Sequence, residues 1–163
     1  MFGAVQPRDN RVALGMAVNY LMSDPVFARL PFGHWSSVLA GQINRRHYLF
    51  VVAQGIVVGF AGWALTSQDK AEAWLNANRD ISFDASTVGN FVVLNAWKAS
   101  NRDAHRFLIR AFRHVIRDKE MIYTKRFYRD GRIRPVRVAV NPFVKRHIER
   151  GLSRTDVVTA GVN

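Results

Sequence analysis

The chain has 163 residues, 48% of them hydrophobic, enough to bury a core, which excludes a disordered chain. It contains no cysteine, which excludes disulfides, thiol catalysis and thiolate metal sites. Its 24 Lys and Arg against 12 Asp and Glu give a net charge of +12, a field that attracts nucleic acid, an acidic lipid surface or an acidic carrier protein.

Residues 10–22 read as a helix capped by Asn10 and stopped by Pro25, and 34–44 as a second, shorter one. The runs 47–53 and 56–66 read as strands joined by a tight turn at Gln54-Gly55. A helix follows from Ser67 to residue 77, then a strand over 91–97. Residues 101–117 form the clearest helix. Strands 121–128 and 132–140 flank Asp130-Gly131, a hairpin signal. A short helix within 141–150 and a loose tail over 151–163 close the chain. The order predicts an α/β (α+β) fold with a mostly antiparallel sheet, flanking helices and one crossover. One domain is expected over 1–150. No apolar run reaches the ~18 residues of a membrane span. The N-terminal stretch has no signal-peptide pattern, so a cytoplasmic location is expected.

Four features bear on chemistry. A strand leads through Lys98, Ser100 and Asn101 into the helix carrying Arg102, an arrangement suited to phosphate; the plain alternative is that Ser100 and Asn101 are helix caps. Arg102, Arg106, Arg110, Arg113 and Arg117 share one helical face, either a solvated surface or a docking surface for an acidic partner. Lys125, Arg126, Arg129, Arg132, Arg134 and Arg137 are interleaved with Phe127 and Tyr128, a pattern also used to bind single-stranded nucleic acid, though without a nucleic-acid motif. The five histidines (His34, His47, His105, His114, His147) show no metal-ligand spacing, so no metal is expected.

Several stretches together carry a resemblance: 13–31 (ALGMAVNYLMSDPVFARLP), 44–52 (NRRHYLFVV), 57–67 (VVGFAGWALTS), and 91–97 (FVVLNAW) with the helix after it. The chain resembles the RTX toxin-activating lysine acyltransferases of the hemolysin-activator type over about residues 10–125. The resemblance implies an N-acetyltransferase-like fold, a homodimer, and transfer of a fatty acyl group from acyl carrier protein to a lysine side chain. The acceptor would be a protein or a ribosomally made peptide, and acyl-CoA is an alternative donor. The family's catalytic histidine is expected two residues past the Ser-x-Pro step, where this chain has Phe27. Its catalytic aspartate is expected on the strand before the crossover helix, where this chain has Asn95.

A lysine ε-amine, with pKa about 10.4, must lose a proton before it attacks a thioester, and histidine is the natural base. His34, seven residues past Phe27, is the leading replacement, and His105 in the first turn of the crossover helix is the runner-up. Asn95 can orient a histidine or donate to the oxyanion. The arginines from Arg102 to Arg113, with Lys98, Ser100 and Asn101, would receive the carrier and its phosphopantetheine. Phe60, Trp63 and Trp97 are expected to line an acyl channel, with core packing as their alternative. Two other readings stay open: a basic nucleic-acid-binding protein, and a carrier-binding scaffold without turnover.

Overall fold

A computed structural model describes residues 1–128 and 130–140. In chain order these form β1 (Phe2–Val5), α1 (Asn10–Leu21), α2 (Pro25–Ala28), α3 (Phe32–Asn44), β2 (Tyr48–Ala53), β3 (Ile56–Thr66), α4 (Gln68–Ala77), β4 (Phe91–Ala99), α5 (Arg102–Val115), β5 (Met121–Phe127) and β6 (Ile133–Ala139). The strands make one sheet in sequence order. Every pairing is antiparallel except β4 with β5, which α5 joins as a crossover. The mostly antiparallel sheet with one crossover thus stands as the sequence predicts.

Strand alternation divides the core into two faces. Tyr48, Phe50 and Phe60 point toward α1 and α3, where they pack with Ala13, Ala17, Tyr20, Leu39 and Ile43. The fully buried alanines let α1 approach the sheet closely. Ala64, Val93 and Tyr123 extend that face under Ala71 and Leu75 of α4. The opposite face carries Leu49, Val51, Ala61, Trp63 and Val92 against Leu108, Phe112 and Ile116 of α5 and its end. The i, i+4 spacing of Ala104, Leu108 and Phe112 aims one stripe at the sheet and leaves the arginines outside. Gln54 and Gly55 take φ of 52° and 77°, the left-handed pair that a two-residue hairpin requires.

The structure corrects several expectations. β1 is a strand the sequence does not announce: four residues that pair with β2 from Phe2↔Ala53 to Val5↔Phe50. Its partner is more than forty residues away, so no local pattern marks it. Asp9, not Asn10, caps α1, accepting a hydrogen bond from the Arg11 N–H. α2 is an added turn capped by Asp24, and α3 begins at Phe32 rather than His34. The helix expected within 141–150 and the tail lie outside the described residues.

His47 follows α3 and stacks on Trp63, with ring centroids 6.2 Å apart. Its Nδ1 is enclosed without a partner. Burial, reinforced by the charges of Arg45 and Lys119, pushes its pKa down from the ordinary 6.5 to about 4. Between those values the unfolded chain binds a proton that the folded chain refuses, so folding stability falls as pH drops through this window. The melting temperature is therefore expected to decline from pH 6.5 to pH 4, and His47→Gln to flatten that decline. An unchanged slope in the variant would refute the assignment.

Candidate active site

The parallel pairing of β4 with β5 runs only from Phe91↔Met121 to Leu94↔Thr124. Beyond it both strands continue with other partners, β4 with β3 as far as Ala99 and β5 with β6 as far as Phe127. Where they part, the β3–β4 register also shifts. Gly62 pairs with Ala96 and Trp63 with Leu94, so Asn95 is passed over. Asn95 is thus the extra residue of a β-bulge, a device that re-aims a side chain. Thr124 Oγ1 donates to the Leu94 carbonyl at 3.0 Å, just before the strands separate.

Behind Asn95 lies Gln42 of α3, completely buried. Its Nε2 donates to Asn95 Oδ1, leaving the Asn95 Nδ2 as the donor the side chain offers. Gln42 Oε1 is enclosed and unpartnered. A Cβ on Gly62 would come 2.2 Å from that oxygen, so the glycine in β3 makes room for the Gln42 amide.

In front of Asn95 opens a pocket of about 590 Å³. Its polar lining includes His34, Asn44, Arg45, Asp80, Asn95 and Lys125. Apolar walls come from Phe27, Leu30, Trp35, Val38, Ile81 and Phe83. Phe27 packs on Trp35 with centroids 5.1 Å apart, so the position where the family histidine was expected is a wall of this cavity. His34, exposed in the first turn of α3, reaches the pocket from the same side.

The structure thus brings Phe27, His34 and Asn95 together and separates the other expected groups from them. His105 is on α5, on the opposite face of the sheet. Its Nδ1 accepts a hydrogen bond from Trp97 Nε1 at 3.2 Å, which leaves the ring fixed beside Trp97. Phe60 sits in the α1–α3 core against Phe50, and Trp63 and Trp97 pack on Phe112 across the sheet. Those three cannot form one acyl channel, because Phe60 and Trp63, three residues apart on β3, point to opposite faces of the sheet.

Several expected donor-binding groups are already engaged. Lys98 Nζ donates to the Tyr20 carbonyl at 2.8 Å and to Ser23 Oγ at 2.6 Å, and lies 4.5 Å from the Tyr20 ring centroid. It closes the C-terminal end of α1 rather than facing a phosphate. Ser100 Oγ and Tyr20 OH share a hydrogen bond of 3.0 Å. Asn101 caps α5, accepting from the Ala104 N–H. Arg102, Arg106 and Arg110 remain exposed and Arg113 half-buried along the outer face of α5; Arg106 stands 3.9 Å from Asp103. In the basic hairpin, Arg126 and Arg132 both lie 5.1 Å from the Tyr128 ring centroid, while Phe127 is exposed. Arg137 is paired with Glu72 at 2.5 Å, and Arg129 lies outside the described residues. Among the described residues no cluster of three potential metal ligands occurs, and no helix is long and apolar enough to cross a membrane.

The profile of the RTX toxin acyltransferase family (HlyC) matches residues 6–139, most of the chain and all of this site. The chain belongs to that family. It is an acyltransferase with the fold of the GNAT acetyltransferases. Among solved structures, the acyltransferase is similar to the loading GNATL domain of CurA from Lyngbya majuscula. That match has a TM-score of 0.55 at 11% identity and covers 80% of this chain and 67% of that one. It also matches the diaminobutyrate acetyltransferase EctA from Paenibacillus lautus, at a TM-score of 0.46 and 11% identity over 94% of this chain and 75% of that one. No curated protein matches the chain.

Gln42, Gly62 and Arg45 escape a reading of the sequence. The one local signal was the pair of glycines in β3, Gly59 and Gly62, since glycine inside a strand marks close approach by another group. Gly62→Ala is expected to force the Gln42 amide aside and to cost about 1–3 kcal/mol, read as a lowered melting temperature. Gly33→Ala, in α3 where a Cβ meets no atom within 4 Å, serves as the comparison and is expected to be neutral or slightly stabilising. Equal stability of the two variants would contradict the packing described.

Proposed function

We propose that this acyltransferase moves a fatty acyl group from acyl carrier protein to a lysine side chain of a protein or ribosomally made peptide, with His34 as base and Asn95 as oxyanion donor. The observation that carries the reading is that both side chains line one cavity at the point where β4 leaves β5. The lysine ammonium gives its proton to His34, and the free amine attacks the thioester carbonyl. Negative charge gathers on the carbonyl oxygen. The Asn95 Nδ2 is a preorganised donor for it, because Gln42 holds the other end of the amide. The attacking nitrogen releases its second proton to solvent as the intermediate collapses to an amide and expels the carrier thiolate, which takes up the proton that His34 had removed. A thioester is already activated, so orientation supplies much of the remaining barrier reduction.

The apolar walls from Phe27 to Phe83 suit a fatty chain. α5 starts three positions after β4 ends, so Arg102 and Arg106 stand at the open end of the parted strands. Together with Arg110 and Arg113 they offer a basic surface to an acidic carrier. Coenzyme A is the alternative carrier of the thioester. By family resemblance the protein works as a homodimer.

Two measurements test this. Incubation with acyl carrier protein thioesters and lysine peptides is expected to give acylated peptide by mass spectrometry. His34→Ala is expected to lower kcat by about 10²–10⁴-fold and Asn95→Ala by about 10²–10³-fold, with unchanged circular dichroism. Full turnover in either variant removes that residue from the mechanism. Second, Arg102→Gln with Arg110→Gln is expected to raise KM for the carrier and to weaken its salt dependence. An unaltered KM would remove α5 from the carrier contact.

A further inference from the structure

The pocket holds more positive charge than the transfer chemistry uses. Arg45, at the C-terminal end of α3, folds its side chain back over Gly41. A Cβ there would come 2.9 Å from Arg45 Nη1, so the glycine makes space for the guanidinium. The guanidinium carbon lies 5.3 Å from the Phe83 ring centroid. Its Nε is enclosed without a hydrogen-bond partner, and among the described residues no carboxylate pairs with it. Burial pushes the guanidinium pKa below its usual value, the sign of a charge short of solvent and counter-charge.

Lys125, on the stretch of β5 that has left β4, is the second cation. Its Nζ lies 4.3 Å from the Trp74 ring centroid and donates to Asn78 Oδ1 at 2.7 Å. An ammonium has three donors, so two remain. Burial lowers the Lys125 pKa, an effect that the charge of Asp80 opposes, and Asp80 makes no ion pair with it. Arg45 and Lys125 therefore face one carboxylate, inside walls that are otherwise largely apolar.

A fatty chain is neutral and gives these cations nothing. The ammonium of an incoming lysine would be repelled by them, which eases its deprotonation but opposes its entry. An acceptor that carries its own carboxylates resolves the conflict. We propose that the pocket selects a lysine flanked by acidic residues, with Arg45 and Lys125 holding the flanking carboxylates beside His34 and Asn95. The identity of the reacting amine rests on the lysine acyltransferase reading; the anion site does not. Arg45 and Lys125 belong to the face that carries His34 and Asn95, whereas the arginines offered to the carrier lie on α5 across the sheet. This favours the acceptor, rather than the donor phosphate, as the source of the anion.

The test measures binding of two fluorescein-labelled dodecapeptides by anisotropy, without donor, at about 0.1 M salt, where long-range attraction is screened. Each has one lysine, with glutamate on both sides in one peptide and glutamine in the other. The glutamate peptide is expected to bind about tenfold more tightly, as charge-assisted hydrogen bonds allow. R45Q/K125M is expected to abolish the difference. R8Q/R134Q, which removes the same charge from exposed positions, is expected to keep it. D80N is expected to widen it, a gain that misfolding cannot mimic. Equal binding of both peptides by the wild type, or a preference that survives R45Q/K125M, overturns the proposal. So does 4′-phosphopantetheine displacing the glutamate peptide from the wild type but not from R45Q/K125M, since that assigns the pair to the donor. With acyl carrier protein thioester added, preferential acylation of the glutamate peptide supports the proposal. Equal acylation overturns the acidic-acceptor class while transfer to lysine stands. No acylation with the binding preference intact supports the anion site and sinks the lysine reading.

Discussion

The end of the β4–β5 pairing after Leu94, while β4 stays paired to β3, is what the pocket depends on. β4 needs β3 along its whole length and β5 along its first half, and after Leu94 the two partners diverge. A sheet that zipped to the end would bury the half of β4 after Leu94 against β5. Here the second half of β4 keeps one neighbour, the bulge turns Asn95 toward α3, and a cavity opens between the strands. Bulges are found beside active sites because they end pairing and re-aim one side chain in a single step. The cost is a buried amide on Gln42 whose Oε1 has no partner. An unmade hydrogen bond of that kind costs about 1–3 kcal/mol, borne here by the residue that binds Asn95.

The sheet also separates two uses of positive charge. On the α5 side the arginines are exposed, screened by salt and free to rearrange, which suits encounter with a large acidic surface. On the pocket side Arg45 and Lys125 are half-buried against aromatic rings, where each charge acts at short range and with greater strength. The same kind of charge thus stands in two physical settings, set by depth. Lys98 belongs to neither: it closes the end of α1, where cations complement the helix dipole.

Much of the fold was legible locally. α5 could be found from its alternating apolar and arginine stripes, β2 and β3 from their β-branched runs and the Gln54-Gly55 turn, and the β5–β6 hairpin from Asp130-Gly131. β1 and α2 were not, because four residues carry no periodicity and their stability comes from distant partners. The site was legible in part. Phe27, His34 and Asn95 stand out by position against the family pattern, and they meet in one cavity. Phe60, Trp63 and Trp97 look equivalent as aromatic residues near strands. Strand alternation separates Phe60 from Trp63, and the β4 bulge brings Trp97 to the Trp63 face; nothing in residue type reveals that one-residue shift of register.

By itself, the sequence determined the class of molecule: a basic acyltransferase of mostly antiparallel α/β fold, with a crossover helix whose charges face outward. The charge, the fold class and the outward-facing arginines follow from composition and from periods of two and 3.6 residues, which are local properties of the chain; the acyltransferase class follows from the resemblance to a known family. Only the tertiary structure decided which groups share a site. It joined His34 to Asn95 across sixty residues, set Gln42 and Gly62 behind them, sent His105 to the far face and gathered Arg45 with Lys125. Those outcomes depend on where two strands part and on which face of a sheet each side chain takes, and both are fixed by long-range pairing that no short window of sequence contains.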